Sequence, residues 1–335
     1  SLQPQISLDG RRPLIDHGFR IRVNMDDEKT LLDLIAEGAA DHPALVSPGG
    51  EAVSYRSLRL QVERLATLLQ SSGISHPDRI AIVLPNGVEA VIAFLAAASA
   101  GTAAPLNPGY KLDEFRFYLS DTRARALIVP AGGGETARQA APDGAILCEC
   151  RLDEPGSVQF QISAKTSPLR TLAPPCSGDV ALVLHTSGTT SRPKRVPLKH
   201  VNLLASAANI ACSYALTAQD VSLCVMPLFH VHGLIGSALA PLLAGGTVAV
   251  PQGFNPLSFW QAAQACRATW YSAVPSIHQM LLARARDGVR PPGAESIGPP
   301  QECGLGFLLR STVTICIFWL SSFSKARMAV GCPAW

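Results

Sequence analysis

The chain has 335 residues, with 28 Lys and Arg against 25 Asp and Glu for a formal charge of +3, and 47% of its side chains are apolar while only 16% are charged. That balance leaves no basic stripe able to neutralise a run of phosphates, which argues against nucleic acid as a partner, and the apolar share is too high for disorder. At ~150 residues per domain the length fits about two domains or one large α/β unit. Residues 1–27 are polar, are interrupted by Pro4, Gly10, Pro13 and Gly18, show no sustained period, and read as a lead-in segment. From Lys29 onward Leu31, Leu32, Leu34, Ile35 and Ala39 recur at helical spacing until His42-Pro43 stops the run. Ala44-Leu-Val-Ser and Val53-Ser-Tyr flank a Pro48-Gly-Gly turn and read as a hairpin. Residues 56–71 place Leu58, Val62, Leu65, Leu68 and Leu69 on one helical face and end at Gly73.

An alternation of short apolar strands and helices follows. Arg79-Ile-Ala-Ile-Val-Leu reads as a buried strand that reaches a Pro85-Asn-Gly turn, and 88–100 as a strongly apolar helix. Next come a strand at Gly101–Leu106, a helix over 111–120 and a strand at Ala126–Val129. Residues 131–178, with Gly132-Gly-Gly and several prolines, read as a surface excursion before the strand Val180–Leu184. A Gly-, Ser- and Thr-rich loop at 186–195 leads to a helix over 200–213, a strand at 221–226, a helical run at 232–243 and a strand at 247–250. A helix around 256–266, a strand at 268–273 and a helix over 275–286 complete the series. This order predicts an α/β fold of doubly wound, mostly parallel sheets with flanking helices. From Asp287 the pattern breaks: 288–304 is rich in Gly and Pro, and the apolar stretch from Leu305 to Leu320 is too short to span a bilayer and carries Arg310. The predicted organisation is therefore a lead-in at 1–27, a folded portion at 28–286 and an atypical tail at 287–335, of the kind an out-of-frame or alternatively spliced end would give.

The nine cysteines are too scattered for a disulfide framework. Cys148 and Cys150 straddle one residue, but no His or Cys pair at ligand spacing accompanies them, so they read as reduced core residues and no metal site is predicted. With no leader-like start and no long uncharged apolar run, the chain reads as cytoplasmic, or as a fragment lacking its true start, without a membrane span.

The sharpest chemical signal is His185-Thr-Ser-Gly-Thr-Thr-Ser-Arg-Pro-Lys-Arg195. A buried strand opens into Thr186, Ser187, Gly188, Thr189 and Thr190, and Lys194 follows. Small residues let backbone N–H groups face an anion closely, hydroxyls add donors, and an ammonium supplies charge, so the composition suits polyphosphate. It is not a Walker A loop, because no glycine immediately precedes Lys194 and Arg195 stands where Ser or Thr is required. On composition alone the competing reading is a Ser/Thr-rich turn before a helix.

The order of residues resembles the T-S-G-T-T-G-x-P-K-G signature of the adenylate-forming superfamily, which includes acyl-CoA synthetases, firefly luciferase and peptide-synthetase adenylation domains. Thr186, Ser187, Gly188, Thr189, Thr190, Pro193 and Lys194 occupy matching positions. Pro105-Leu-Asn-Pro-Gly-Tyr with Glu114, Leu119 and Asp121 is similar to the family's upstream core motif, and Met226-Pro-Leu-Phe-His-Val-His-Gly to its downstream one. Leu242–Val248 and Ala268–Ser276 continue the resemblance, which covers roughly residues 28–286. His185, Ser191-Arg192 and the Phe-His-Val-His-Gly spelling look most like the oxalate-CoA ligase branch, relatives of the 4-coumarate-CoA ligases.

The resemblance implies the N-terminal part of the adenylate-forming fold, with ATP, Mg2+ and coenzyme A as cofactors and a small carboxylic acid as substrate. The carboxylate would attack the α-phosphorus of ATP to give an acyl-adenylate and pyrophosphate, and the coenzyme A thiol would displace AMP. The loop residues Thr186 to Thr190 and Lys194 would hold the phosphates, and His230 would line the acyl pocket; its alternative is a core histidine at the start of the following helix. His232 is balanced between the same two roles, His200 reads as a solvated helix residue, and Trp260, Trp270 and Tyr271 read as packing. Arg195 replaces the signature's glycine, a strain of about 1–2 kcal/mol if that position needs φ > 0, and a second cation that would compete for phosphate. The family's Tyr-x-x-Thr-Glu motif, its ribose-binding aspartate and its C-terminal catalytic lysine have no counterpart after Asp287, nor does the chain end in a Ser-Lys-Leu peroxisomal address. The resulting expectation is an acid-CoA ligase portion that is incomplete and inactive alone. Its rivals are a non-catalytic nucleotide-binding remnant and a 4-coumarate or long-chain ligase.

Overall fold

Ile80 and Ile82 point to one side of a strand and Ala81 and Val83 to the other, and both sides are buried. A strand buried on both faces needs helices above and below it, and this chain supplies them twice. In the computed structural model, which describes residues 29–50, 52–153, 156–166, 173–186 and 193–286, two sheets carry the fold. The strands are β1 (Pro43–Val46), β2 (Ala52–Ser54), β3 (Arg79–Ile82), β4 (Thr102–Pro105), β5 (Ala124–Pro130), β6 (Ile146–Leu152), β7 (Val158–Ile162), β8 (Val180–Thr186), β9 (Lys194–Lys199), β10 (Val221–Leu223) and β11 (Thr247–Ala249). The helices are α1 (Leu31–Ala36), α2 (Tyr55–Ser71), α3 (Val88–Ala100), α4 (Leu112–Thr122), α5 (Glu135–Gln139), α6 (His200–Ser213), α7 (Ala240–Leu243), α8 (Phe259–Ala265) and α9 (Pro275–Arg286).

The larger sheet has the order β7-β6-β5-β3-β4-β8-β9, and the smaller the order β10-β11-β1-β2. From β6 through β8 the larger sheet is parallel; its outer strands β7 and β9 are antiparallel. In the smaller sheet β10, β11 and β1 are parallel and β2 closes the predicted hairpin with β1. Helices α1, α2, α3, α6 and α7 fill the space between the sheets, where the main core lies. Phe115 and Leu119 of α4 and Ala137 of α5 cover the outer face of the larger sheet, and Phe259 of α8 with Ile277 and Leu281 of α9 cover that of the smaller one. Helix α3 is buried on every side except at Glu89, which is why its sequence is apolar without a polar stripe. Tyr55 at the start of α2 is wholly buried and its hydroxyl reaches the carbonyls of Leu242 (3.0 Å) and Gly246 (2.8 Å), which ties α2 to the turn before β11. Among the described residues no helix is long and apolar enough to cross a membrane.

Several expectations need correction. The excursion at 131–178 contains α5, β6 and β7, and β6 extends the parallel sheet beside β5 with Cys148 and Cys150 facing the core. Their thiols are pushed up by burial, Cys148 to about 12, as inert core groups should be. The segment 194–199 is no loop leading to a helix but the edge strand β9, where Pro197 is tolerated. The strand at 268–273 reduces to a single parallel bridge of Trp270 with Ser222, because Arg267 turns through a left-handed conformation just before it and α9 starts at Pro275. The run at 232–243 is helical, but His232–Leu239 is wound as a π-helix before α7. His200 is not solvated: it is fully buried at the start of α6, and its Nδ1 accepts the Leu31 amide (3.2 Å), because α1 packs on α6. The predicted lead-in at 1–27 and the tail at 287–335 lie outside the described residues.

Candidate functional site

Strands β3, β4 and β8 are consecutive neighbours, run parallel, and each ends in a segment singled out from the sequence. Pro85-Asn-Gly follows β3, Pro105–Tyr110 leads out of β4, and the Ser/Thr/Gly loop leaves β8. The connection from β4 passes back across β3 to reach β5, while β8 lies on the other side of β4. That reversal opens a crevice at the carboxyl ends of the strands, the place where open α/β sheets bind ligands.

At the β8 end, β9 folds back antiparallel and sets Thr186 directly opposite Lys194, with His185 opposite Arg195 one step below. Thr186 and Lys194 are both exposed at the mouth of the loop. Ser187, Gly188, Thr189 and Thr190 lie outside the described residues. Asp121, in the last turn of α4, holds the pair beneath the mouth: its Oδ2 accepts from His185 Nε2 (3.0 Å) and lies 3.4 Å from Arg195 Nε. Arg195 Nη1 also donates to the Asp121 backbone carbonyl. A cation at a helix C-terminus satisfies a carbonyl left without an intrahelical partner. Burial pulls the His185 imidazole below its ordinary value, against the raising effect of Asp121, so it meets the carboxylate as a neutral donor. The Tyr118 ring packs edge-on to His185 at 4.8 Å and stacks on Tyr110 at 4.6 Å. Asn107 Oδ1 accepts the Gly109 amide (2.9 Å), and Glu114 accepts the Lys111 amide (2.8 Å) to start α4. The upstream motif is thus the mount of the loop's hairpin.

At the β3 end, buried Asn86 donates from Nδ2 to the Met226 carbonyl (2.9 Å) and accepts the Leu228 amide at Oδ1 (3.0 Å). This pins the downstream motif over β3, two strand spacings, or roughly 10 Å, across the sheet from β8. A Cβ on Gly233 would stand 2.3 Å from the Pro227 carbonyl oxygen, so only glycine lets the π-helix fold back so tightly on the motif. His230 is exposed where the chain enters that helix, with its carbonyl accepting the Leu234 amide (3.0 Å), and partial burial lowers its imidazole pKa. His232 turns inward: its Nε2 meets Ser272 Oγ at 2.7 Å, and burial, helped by His278, pulls it down to about 4. Trp260, Trp270 and Tyr271 pack against Phe259 and Tyr214.

The structure brings Thr186 and Lys194 together and places His230 on the separate segment that Asn86 anchors. Two contacts that mount the candidate site are not announced by the sequence, the Asp121 link to both hairpin strands and the Asn86 link to Met226 and Leu228. Asp121 already stood in the quoted motif, whereas Asn86 read as an ordinary turn residue. The expectation for Arg195 changes. The described non-glycine residues with positive φ are Arg123, Ala215 and Arg267, and Arg195 is an extended residue of β9 without that strain. Among the described residues no three His, Cys, Asp or Glu side chains converge into a group that could hold a metal ion.

The AMP-binding enzyme family matches residues 32–324, a span that runs past Asp287. The chain is 40% identical over 272 residues to an oxalate--CoA ligase of Arabidopsis thaliana, covering 78% of this chain and 52% of that protein. It is 39% identical over 280 residues to a probable CoA ligase of Humulus lupulus, with the same coverage of 78% and 52%. The fold resembles ATP-bound MatB from Rhodopseudomonas palustris, with a TM-score of 0.64 and 26% identity over 76% of this chain and 50% of that one. It also resembles an O-succinylbenzoate coenzyme A synthetase from Bacillus subtilis in complex with AMP, with a TM-score of 0.63 and 26% identity over 77% of this chain and 51% of that one. The chain spans about half the length of the curated relatives it matches. A parallel sheet whose β3, β4 and β8 ends carry these loops, and a family match across most of the sequence, make this chain a member of the AMP-binding enzyme family of adenylate-forming enzymes.

Proposed function

We propose that this chain is the nucleotide-holding portion of an ATP-dependent acid-CoA ligase that acts on oxalate or another small carboxylate. The observation that carries this reading is the hairpin that sets Lys194 opposite Thr186 at the carboxyl end of a parallel strand. The likeness to the Arabidopsis thaliana oxalate--CoA ligase supports the choice of substrate class. Backbone amides and hydroxyls from Thr186 through Ser187, Gly188, Thr189 and Thr190 receive the β- and γ-phosphates, and the Lys194 ammonium offsets their charge. Mg2+, when it accompanies the nucleotide, would share that charge. His230 serves the acyl side, where a neutral imidazole can donate to the far carboxylate of a small dicarboxylic acid. Phosphate contacts of this kind hold ground and transition states about equally, and acceleration needs further groups aimed at the α-phosphate. The 335-residue chain is accordingly expected to bind ATP without completing the ligation.

Calorimetric titration of the chain with ATP tests the loop assignment. Lys194→Ala is expected to weaken binding at least about tenfold, the scale of one charge-assisted contact; identical dissociation constants overturn the assignment. Incubation with ATP, Mg2+, coenzyme A and oxalate is expected to release no AMP above background. Oxalate-dependent release that Lys194→Ala abolishes would show the chain to be a competent enzyme.

A further inference from the structure

β9 is an edge strand whose residues alternate between exposed and half-buried from Arg195 onward, and its last pair before the loop, Thr186 with Lys194, is exposed on both strands. Little apolar burial holds that end, and such hairpin ends fray. Beneath it, one carboxylate oxygen of Asp121 serves both members of the next pair, His185 and Arg195, which face each other across the strands. Opposed residues of an antiparallel pair stand about 5 Å apart, so a single acceptor can reach both. The grip on Arg195 is double, with Nε beside the Asp121 carboxylate and Nη1 on its backbone carbonyl, so two separate nitrogens of one planar fork are engaged where an ammonium offers a single nitrogen. Helix α4, which presents Asp121, is itself seated in the core through Phe115 and Leu119.

We propose that Asp121, His185 and Arg195 form a clamp that fixes the mouth of the phosphate loop and so sets the position from which Lys194 meets polyphosphate. This rests on the loop assignment above. In this reading Arg195 is a positioning residue and not a phosphate ligand: its guanidinium is engaged by α4, and it adds a tie that the signature's glycine lacks.

The test is titration of the full chain with inorganic tripolyphosphate and with ATP at several salt concentrations, using Asp121→Asn, Arg195→Lys, Arg195→Gly, the double variant D121N/R195G and Lys194→Ala. Asp121→Asn and Arg195→Gly are each expected to weaken binding roughly three- to tenfold, and the double variant to be no worse than the poorer single one, as for coupled residues. Arg195→Lys should not restore affinity, since charge without the fork does not rebuild the grip. Removing a phosphate-contacting charge lessens the salt dependence, so Lys194→Ala should flatten it while the clamp variants leave the slope unchanged. Amide hydrogen exchange at 185, 186 and 194–196 should quicken in the clamp variants. The proposal is overturned if Arg195→Gly binds as tightly as the parent chain, or flattens the salt dependence as Lys194→Ala does. If Asp121→Asn does not fold, the two Arg195 variants decide the matter. If Lys194→Ala binds like the parent chain, or the parent chain binds neither ligand, the loop assignment itself has failed.

Discussion

Acid should weaken this fold through His200 in a way that one substitution isolates. The ring is fully buried at the start of α6, and burial pulls its pKa down to about 4 even though Asp179 and Asp33 favour the charged form. An unfolded histidine titrates near ~6.5. Between those values the unfolded chain binds a proton that the native state refuses, so stability is intact above about 6.5 and falls as pH drops toward 4. At ~1.4 kcal/mol per pH unit the loss from this one group is roughly 3 kcal/mol, a large part of a typical stability of ~5–15 kcal/mol. His200→Asn keeps an acceptor where Nδ1 meets the Leu31 amide but carries no titrating group. Urea unfolding of both proteins at pH 7, 5.5 and 4 measures the difference, because the other titrating groups cancel. The parent chain is expected to lose roughly 3 kcal/mol more than the variant across that range. Equal losses would refute the reasoning, since the proton would then not be discriminating between the buried and unfolded ring.

Substitutions at three sites probe the frame that carries the loops. Asn86→Ala strands the Met226 carbonyl and the Leu228 amide, at about 1–3 kcal/mol for each buried group, and Asn86→Asp, which restores only the acceptor, should fall between it and the parent in urea unfolding. Gly233→Ala drives a methyl into the Pro227 carbonyl and should cost about 1–3 kcal/mol or more; an unchanged melting temperature would mean that the close approach is not needed. Tyr55→Phe removes the donor shared by the Leu242 and Gly246 carbonyls at a fully buried site and should lower stability by about 1–2 kcal/mol, with no loss of ATP affinity in calorimetry.

Elements whose burial makes their composition distinctive were legible in the sequence. Helix α3 is apolar all round because it is enclosed between sheets, and helices α6 and α9 span the residues expected of them. The hairpin of β1 and β2 was readable from its Pro48-Gly-Gly turn. What escaped notice were elements whose pattern is weak for a physical reason. β9 is a polar edge strand with one face in solvent and Pro197 within it, and β6 and β7 lie in a stretch where glycines and prolines mask a buried alternation at Cys148 and Cys150. His200 was misread because burial of a polar ring depends on α1, a helix 169 residues earlier in the chain that no local pattern connects to it.

The candidate site divides along the same line. The chemistry of the loop is local, since small residues, hydroxyls and an ammonium in one short run announce an anion site. Its support is not local, because the hairpin base depends on Asp121, 64 residues before His185 and 74 before Arg195. Arg195 shows how a signature misleads when only its residue types are known. Glycine at a position implies a left-handed backbone only if the fold requires one there, and here the strand is extended, so an arginine enters without backbone strain and acquires two partners on α4. The same side chain that looked like an intruder beside the phosphates is turned toward a carboxylate and a helix end, which leaves Lys194, among the described residues, as the cation facing Thr186 at the mouth of the loop.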